Sequence, residues 1–129
     1  MNPRGILYWL VWLIAAATLV SGLVQMVTPG FVLGLVAGEK DPTSEHFFGI
    51  IGMFMLLFGG MLLHALRDPS RQTVAILWCG LQKFGASAAV ALGVERHLFS
   101  ILALGIAGFD FLSGILVLLY WRKARSSAA

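Results

Sequence analysis

The sequence predicts an all-α integral membrane protein: a four-transmembrane-helix antiparallel bundle with short loops and both termini cytoplasmic. Three observations predict it. The 129 residues are 59% hydrophobic and only 12% charged, about half the ~25% charge of a typical soluble domain. The apolar residues gather in four stretches, each near the about 20 residues that a helix needs to cross a bilayer. The basic residues divide unequally between the two sides of those stretches. The same composition excludes a soluble globular domain, a disordered chain and a nucleic-acid binder. A formal charge of +3 in so apolar a chain marks a membrane face rather than a contact with nucleic acid. The single cysteine, Cys79, excludes an internal disulfide and a cysteine-rich metal motif.

The whole chain reads as one membrane domain, with spans at about 6–27, 46–66, 72–93 and 98–121. The first apolar stretch is longer than the 7–15 residues of a signal-peptide core, so it reads as a retained span. Thr28-Pro29-Gly30 ends it, because proline lacks the amide that would continue the helix. The apolar piece from Phe31 to Gly38 is too short to cross and reads as interfacial or re-entrant. Glu39 to Ser44 forms a wet loop, with Ser44 as the expected cap of the second span. Arg67-Asp68-Pro69-Ser70-Arg71 reads as a tight turn, with Asp68 as N-cap and Pro69 at the first helical position. Val94-Glu95-Arg96-His97 is the last turn. Turns this short make spans two and three, and spans three and four, antiparallel neighbours.

Arg4, Arg67, Arg71, Arg122, Lys123 and Arg125 fall on one side, and Lys40 and Arg96 on the other. The positive-inside rule then places both termini in the cytoplasm. Trp9, Trp12, Tyr120 and Trp121 lie near that same boundary, where amphipathic rings prefer to sit.

Charged groups inside a span are costly and need a reason. Lys83 lies near the middle of the third span and Asp110 near the middle of the fourth, so an antiparallel hairpin brings them to similar depth. Gly80 and Ser87 flank Lys83, and Ala103, Ala107, Ser113 and Gly114 flank Asp110. Small residues of this kind let backbones approach and polar heads meet. The pair reads as a structural clasp, or alternatively as a proton relay or ion gate in a transport or redox component. The clasp is favoured because a lone pair without a polar path is a poor conduit. Thr18, Ser21 and Gln25 form a polar stripe on the first span, able to hydrate a cavity or to bond across helices.

His46 and His97 begin the two spans that enter from the outer side, with Glu45 and Glu95 beside them. Two imidazoles and two carboxylates at one boundary would suit zinc or another divalent metal. His46 and His97 would also serve as axial ligands of a b-type haem. Boundary His and Glu are more often simply solvated, and no cofactor is required. His64 stands alone at the inner end of the second span. The methionines and Cys79 read as packing. No nucleophile–base constellation, phosphate-binding glycine loop or HExxH pattern occurs, which favours a non-enzymatic protein. Gly49, Gly52, Gly59, Gly60, Gly105, Gly108 and Gly114 mark close helix contacts, a face for a membrane partner or second copy, or a slot for a lipid, quinone or other apolar ligand.

The strings "FFGIIGMFMLLFGGMLLHALR", "LWCGLQKFGASAAVALGV" and "ALGIAGFDFLSGILVLLY" resemble those of small bacterial four-helix membrane proteins of the DoxX-like group. The resemblance covers most of the chain. It implies a bacterial inner-membrane bundle and, through members linked to quinone or sulfur redox chemistry, an accessory subunit. Such proteins are expected to carry an arginine or glutamate early in the second helix, where Glu45-His46 stands here.

Overall fold

The computed structural model describes residues 4–37 and 39–128. Their regular structure is all helical: α1 (Ile6–Val27), α2 (Pro29–Val36), α3 (Pro42–Ala65), α4 (Thr73–Glu95) and α5 (Ala103–Ala128). α1, α3, α4 and α5 are each long and apolar enough to cross a membrane. α1, the shortest of these at 22 residues, reaches about 33 Å at 1.5 Å per residue, against a hydrocarbon core of about 30 Å.

The chain folds as two tight helix pairs joined side by side, with α1 against α3 and α4 against α5. Glycine makes the first pair tight. A Cβ on Gly22 would come within 2.4 Å of the Leu56 amide nitrogen, one on Gly52 within 2.6 Å of the Met26 nitrogen, and one on Gly59 within 2.5 Å of the Leu19 nitrogen. Gly52 and Gly59 are two turns apart, so they share one face, and the two backbones touch along it. At the end that holds both termini, all four long helices contribute to one apolar core. Val11, Ile14, Leu62, Ile76, Val117 and Tyr120 are among its buried members. Tyr8 packs on Trp9 and on Tyr120 there, and the Arg125 guanidinium lies 5.4 Å from the Trp121 ring. At the opposite end, Leu33 and Val36 of α2 bury against Ala103 and cover the α4–α5 turn.

The helix starts differ from the sequence reading in four places, each with a local cause. Pro29 opens a helix as well as closing one. Thr28 (φ −128°, ψ 58°) bends the chain after α1, and Pro29 takes the first position of α2, where its missing N–H costs nothing. The piece expected to be interfacial or re-entrant is therefore an eight-residue helix. α3 begins at Pro42 and its cap is Asp41 rather than Ser44. The Asp41 carboxylate accepts from the amides of Thr43 and Ser44, and the Ser44 hydroxyl accepts from the Asp41 amide. That is a reciprocal capping box. Asp68 and Pro69 do not start α4, which begins at Thr73 after Gln72. Asp68 is consumed within the turn, where its carboxylate accepts from the Ser70 hydroxyl and its carbonyl from the amides of Arg71 and Gln72.

The fourth difference lies at the start of the last span. α5 begins at Ala103 rather than at residue 98, because α4 closes with a Schellman motif. The amides of His97 and Leu98 donate to the carbonyls of Val94 and Gly93, and His97 adopts φ 60°. The chain then turns, and the Ser100 amide donates to the Val36 carbonyl of α2, so α5 is delayed. α5 also continues past residue 121 to Ala128.

Candidate functional site

Lys83 sits near the middle of α4 and Asp110 two turns into α5. Their depth is matched by the register of the α4–α5 pair. One turn from Lys83, the Ser87 hydroxyl donates to the Ala107 carbonyl at 2.8 Å. Close approach is possible because Gly80 accepts the Leu118 side chain against its backbone and Gly114 lies under the Phe84 ring. Phe84 in turn meets Phe111 edge-on. Ala103, Ala107 and Ser113 are buried on the same helix.

At this point the Lys83 ammonium lies 3.1 Å from Asp110 Oδ1 and 2.6 Å from Thr18 Oγ1. The Thr18 hydroxyl donates its own proton to the Ile14 carbonyl at 2.8 Å, so its lone pairs are free to accept from Lys83. The three side chains tie α1, α4 and α5 together at one depth. Lys83 is almost fully enclosed, with 5% of its side chain exposed against 13% for Asp110. The Phe109 ring lies 5.7 Å from the ammonium and adds a weak cation–π attraction.

Thr18 is the member that sequence reading assigned elsewhere. The expected stripe of Thr18, Ser21 and Gln25 does not act as a unit. Ser21 is exposed and its hydroxyl bonds back to the Ala17 carbonyl of its own helix. Gln25 is buried and donates to the Phe48 carbonyl of α3 at 2.9 Å. Depth separates the two buried members: Thr18 and Gln25 are two turns and about 10 Å apart along nearly one face of α1, so Thr18 meets Lys83 of α4 while Gln25 meets the Phe48 carbonyl of α3. A hydroxyl at the depth of a buried ammonium was the available signal.

Glu45, His46, Glu95 and His97 do not come together as one cluster. Among the described residues no three His, Cys, Asp or Glu side chains come together. Glu45 sits over Gly30 of α2 and lies 4.0 Å from Lys40. His46 meets the Phe47 ring. Glu95 and His97 are exposed at the end of α4, and His97 serves the backbone turn there. The physical reason is the pairing of helices. Glu45 and His46 belong to the first turn of α3, which packs on α1 and α2. Glu95 and His97 belong to the end of α4, which packs on α5. Cys79 is buried, with its sulfur 3.7 Å from the Phe58 carbonyl of α3, so it fills space between helices.

Glycines divide by position. Gly22, Gly52 and Gly59 serve the α1–α3 seam, whereas a Cβ on Gly85, Gly105 or Gly108 would meet nothing within 4 Å. No family model, curated protein or solved structure matches the chain. Fold and site together define a small helical membrane protein of four apolar spans, built on two helix pairs and joined by an ion pair and a hydroxyl.

Proposed function

We propose that the chain is a non-enzymatic accessory or scaffold protein of the bacterial inner membrane, with both termini cytoplasmic. The observation that carries this is the dead end at Lys83. Two of its three proton donors go to Asp110 and to Thr18, and the Thr18 hydroxyl ends on a backbone carbonyl. A bonded chain that stops on a carbonyl stabilises a fold but moves nothing through it. The unoccupied faces at Gly85, Gly105 and Gly108 support docking of a membrane partner or a second copy, since small residues are favoured where helices meet in lipid. The charge asymmetry supports the orientation, and the likeness to the DoxX-like group supports the bacterial setting. The test is cross-linking in native membranes followed by purification in mild detergent. A defined homo-oligomer or stoichiometric membrane partner is expected, lost with bulky residues at Gly105 and Gly108. A strict monomer in membranes sinks the scaffold reading.

One observation favours the alternative, a proton-coupled transport or redox component. Asp110 is the more accessible partner, and its second carboxylate oxygen has no hydrogen bond or ion pair among the described residues. On that reading, Asp110→Asn with Lys83 retained abolishes proton flux in vesicles while oligomerisation persists. Under the scaffold reading no such flux exists to be lost.

A further inference from the structure

We propose that a groove at the end of the bundle holding both termini seats one acyl chain of an anionic phospholipid, with the phosphate at the His64–Gln72 rim, beside the Arg67–Arg71 turn. The groove has a volume of about 530 Å³, within the about 300–1,000 Å³ typical of ligand clefts. Leu19 of α1 and Leu56, Leu57, Gly60 and Met61 of α3 form most of its wall. It exists because α3 is drawn by its glycines onto α1, while it meets α4 more lightly. Gly60 adds room, since a Cβ there would meet only the end of Leu19, at 3.8 Å.

The polar lining is confined to one end. His64 is in the last turn of α3 and Gln72 immediately precedes α4, and both are exposed. An apolar trough with hydrogen-bond donors at its mouth suits an amphiphile: chain along the leucines, head at the rim.

Charge then selects the head. Arg67 lies one turn beyond His64, and Arg71 adjoins Gln72. The one acid of that turn, Asp68, lies 3.5 Å from Arg71 Nε. The Arg67 guanidinium is exposed and without an ionic partner among the described residues. Gln72 makes no side-chain cap, so the first amides of α4 add partial positive charge at the same end. A phosphodiester complements this rim: it accepts from imidazole, amide and guanidinium while cancelling the unpaired charge. A zwitterionic head sets its own ammonium near Arg67, and a neutral quinone leaves the arginine unpaired. The inference stands apart from the scaffold reading, because the groove shares no residue with the Lys83 triad.

The test is native mass spectrometry of the full detergent-purified chain, titrated with phosphatidylglycerol and with phosphatidylcholine of the same acyl chains. Wild type is expected to retain phosphatidylglycerol preferentially. Arg67→Gln lowers that preference about fivefold, the worth of one arginine at a lipid surface. Gly60→Leu, which fills the groove, lowers retention of both lipids. Equal retention of the two lipids by wild type overturns the proposal. So does displacement of phosphatidylglycerol by equimolar glycerol phosphate, which lacks the chain, or by equimolar neutral quinone. Should either variant fail to fold, the wild-type ratio and the two competitions decide the matter alone.

Discussion

Replacing Lys83 by methionine keeps an unbranched side chain, one atom shorter, and removes its charge. In the structure this leaves Asp110, 13% exposed along its side chain, without the ammonium 3.1 Å away. Breaking a buried pair from one side costs about 3–5 kcal/mol, since the remaining charge is stranded. The burial of this pair places Lys83→Met in that range. Asp110→Leu strands Lys83 instead, but Thr18 still accepts one bond at 2.6 Å, so its cost falls at the lower end, about 3 kcal/mol. The double variant Lys83→Met/Asp110→Leu removes both charges and leaves apolar volume behind. Replacement of this kind is often neutral or stabilising, so it is expected within about 1 kcal/mol of wild type. The coupling energy of the cycle is then at least about 5 kcal/mol. Folded yield by fluorescence-detected size exclusion, with thermal melting of the purified variants, reads all four proteins. Single and double variants that lose stability additively, or a harmless Lys83→Met, would refute the idea that the pair holds the bundle.

Two further perturbations test the packing and the turns. Gly59→Ala sets a Cβ 2.5 Å from the Leu19 amide nitrogen and is expected to cost about 1–3 kcal/mol by overpacking. Gly108→Ala meets open space and is expected to raise stability by about 0.5–1 kcal/mol through helix preference; equal melting temperatures for the two variants would contradict the α1–α3 seam. His97→Gly relieves a side chain held at φ 60° and should raise the melting temperature, by up to about 1 kcal/mol of stability, whereas a metal-ligating His97 would instead make the variant lose zinc-dependent stabilisation in the same melt.

The helical class and the number of spans were legible in the sequence because both rest on length and hydropathy, which a single chain states directly. The Lys83–Asp110 contact was legible for a related reason. Two charges at similar depth in consecutive spans have few partners other than each other, since stranding them in hydrocarbon is costly. Helix ends were less legible. Asp41, Pro42 and Ser44 all suit a helix start, and only the reciprocal bonds between Asp41 and Ser44 decide which takes the cap. The proline of Asp68-Pro69 pointed to a cap in the same way, but the side chain was spent on Ser70. Glu45, His46, Glu95 and His97 lie at the same ends of their spans without sharing a neighbourhood, because position along a span is a one-dimensional property and ligation requires three dimensions.

The sequence by itself determined that the chain partitions into lipid as four helices and that two of them carry a compensating charge pair. Both follow from transfer free energies that each segment carries alone. The tertiary structure decided which helices touch backbone to backbone, that Thr18 rather than Ser21 or Gln25 completes the pair, and where the groove beside His64 opens. Those choices depend on rotation of each helix about its axis, on the depth at which helices meet and on steric fit between distant segments. Hydropathy does not record rotation in a helix that is apolar on every side, so only packing resolves it.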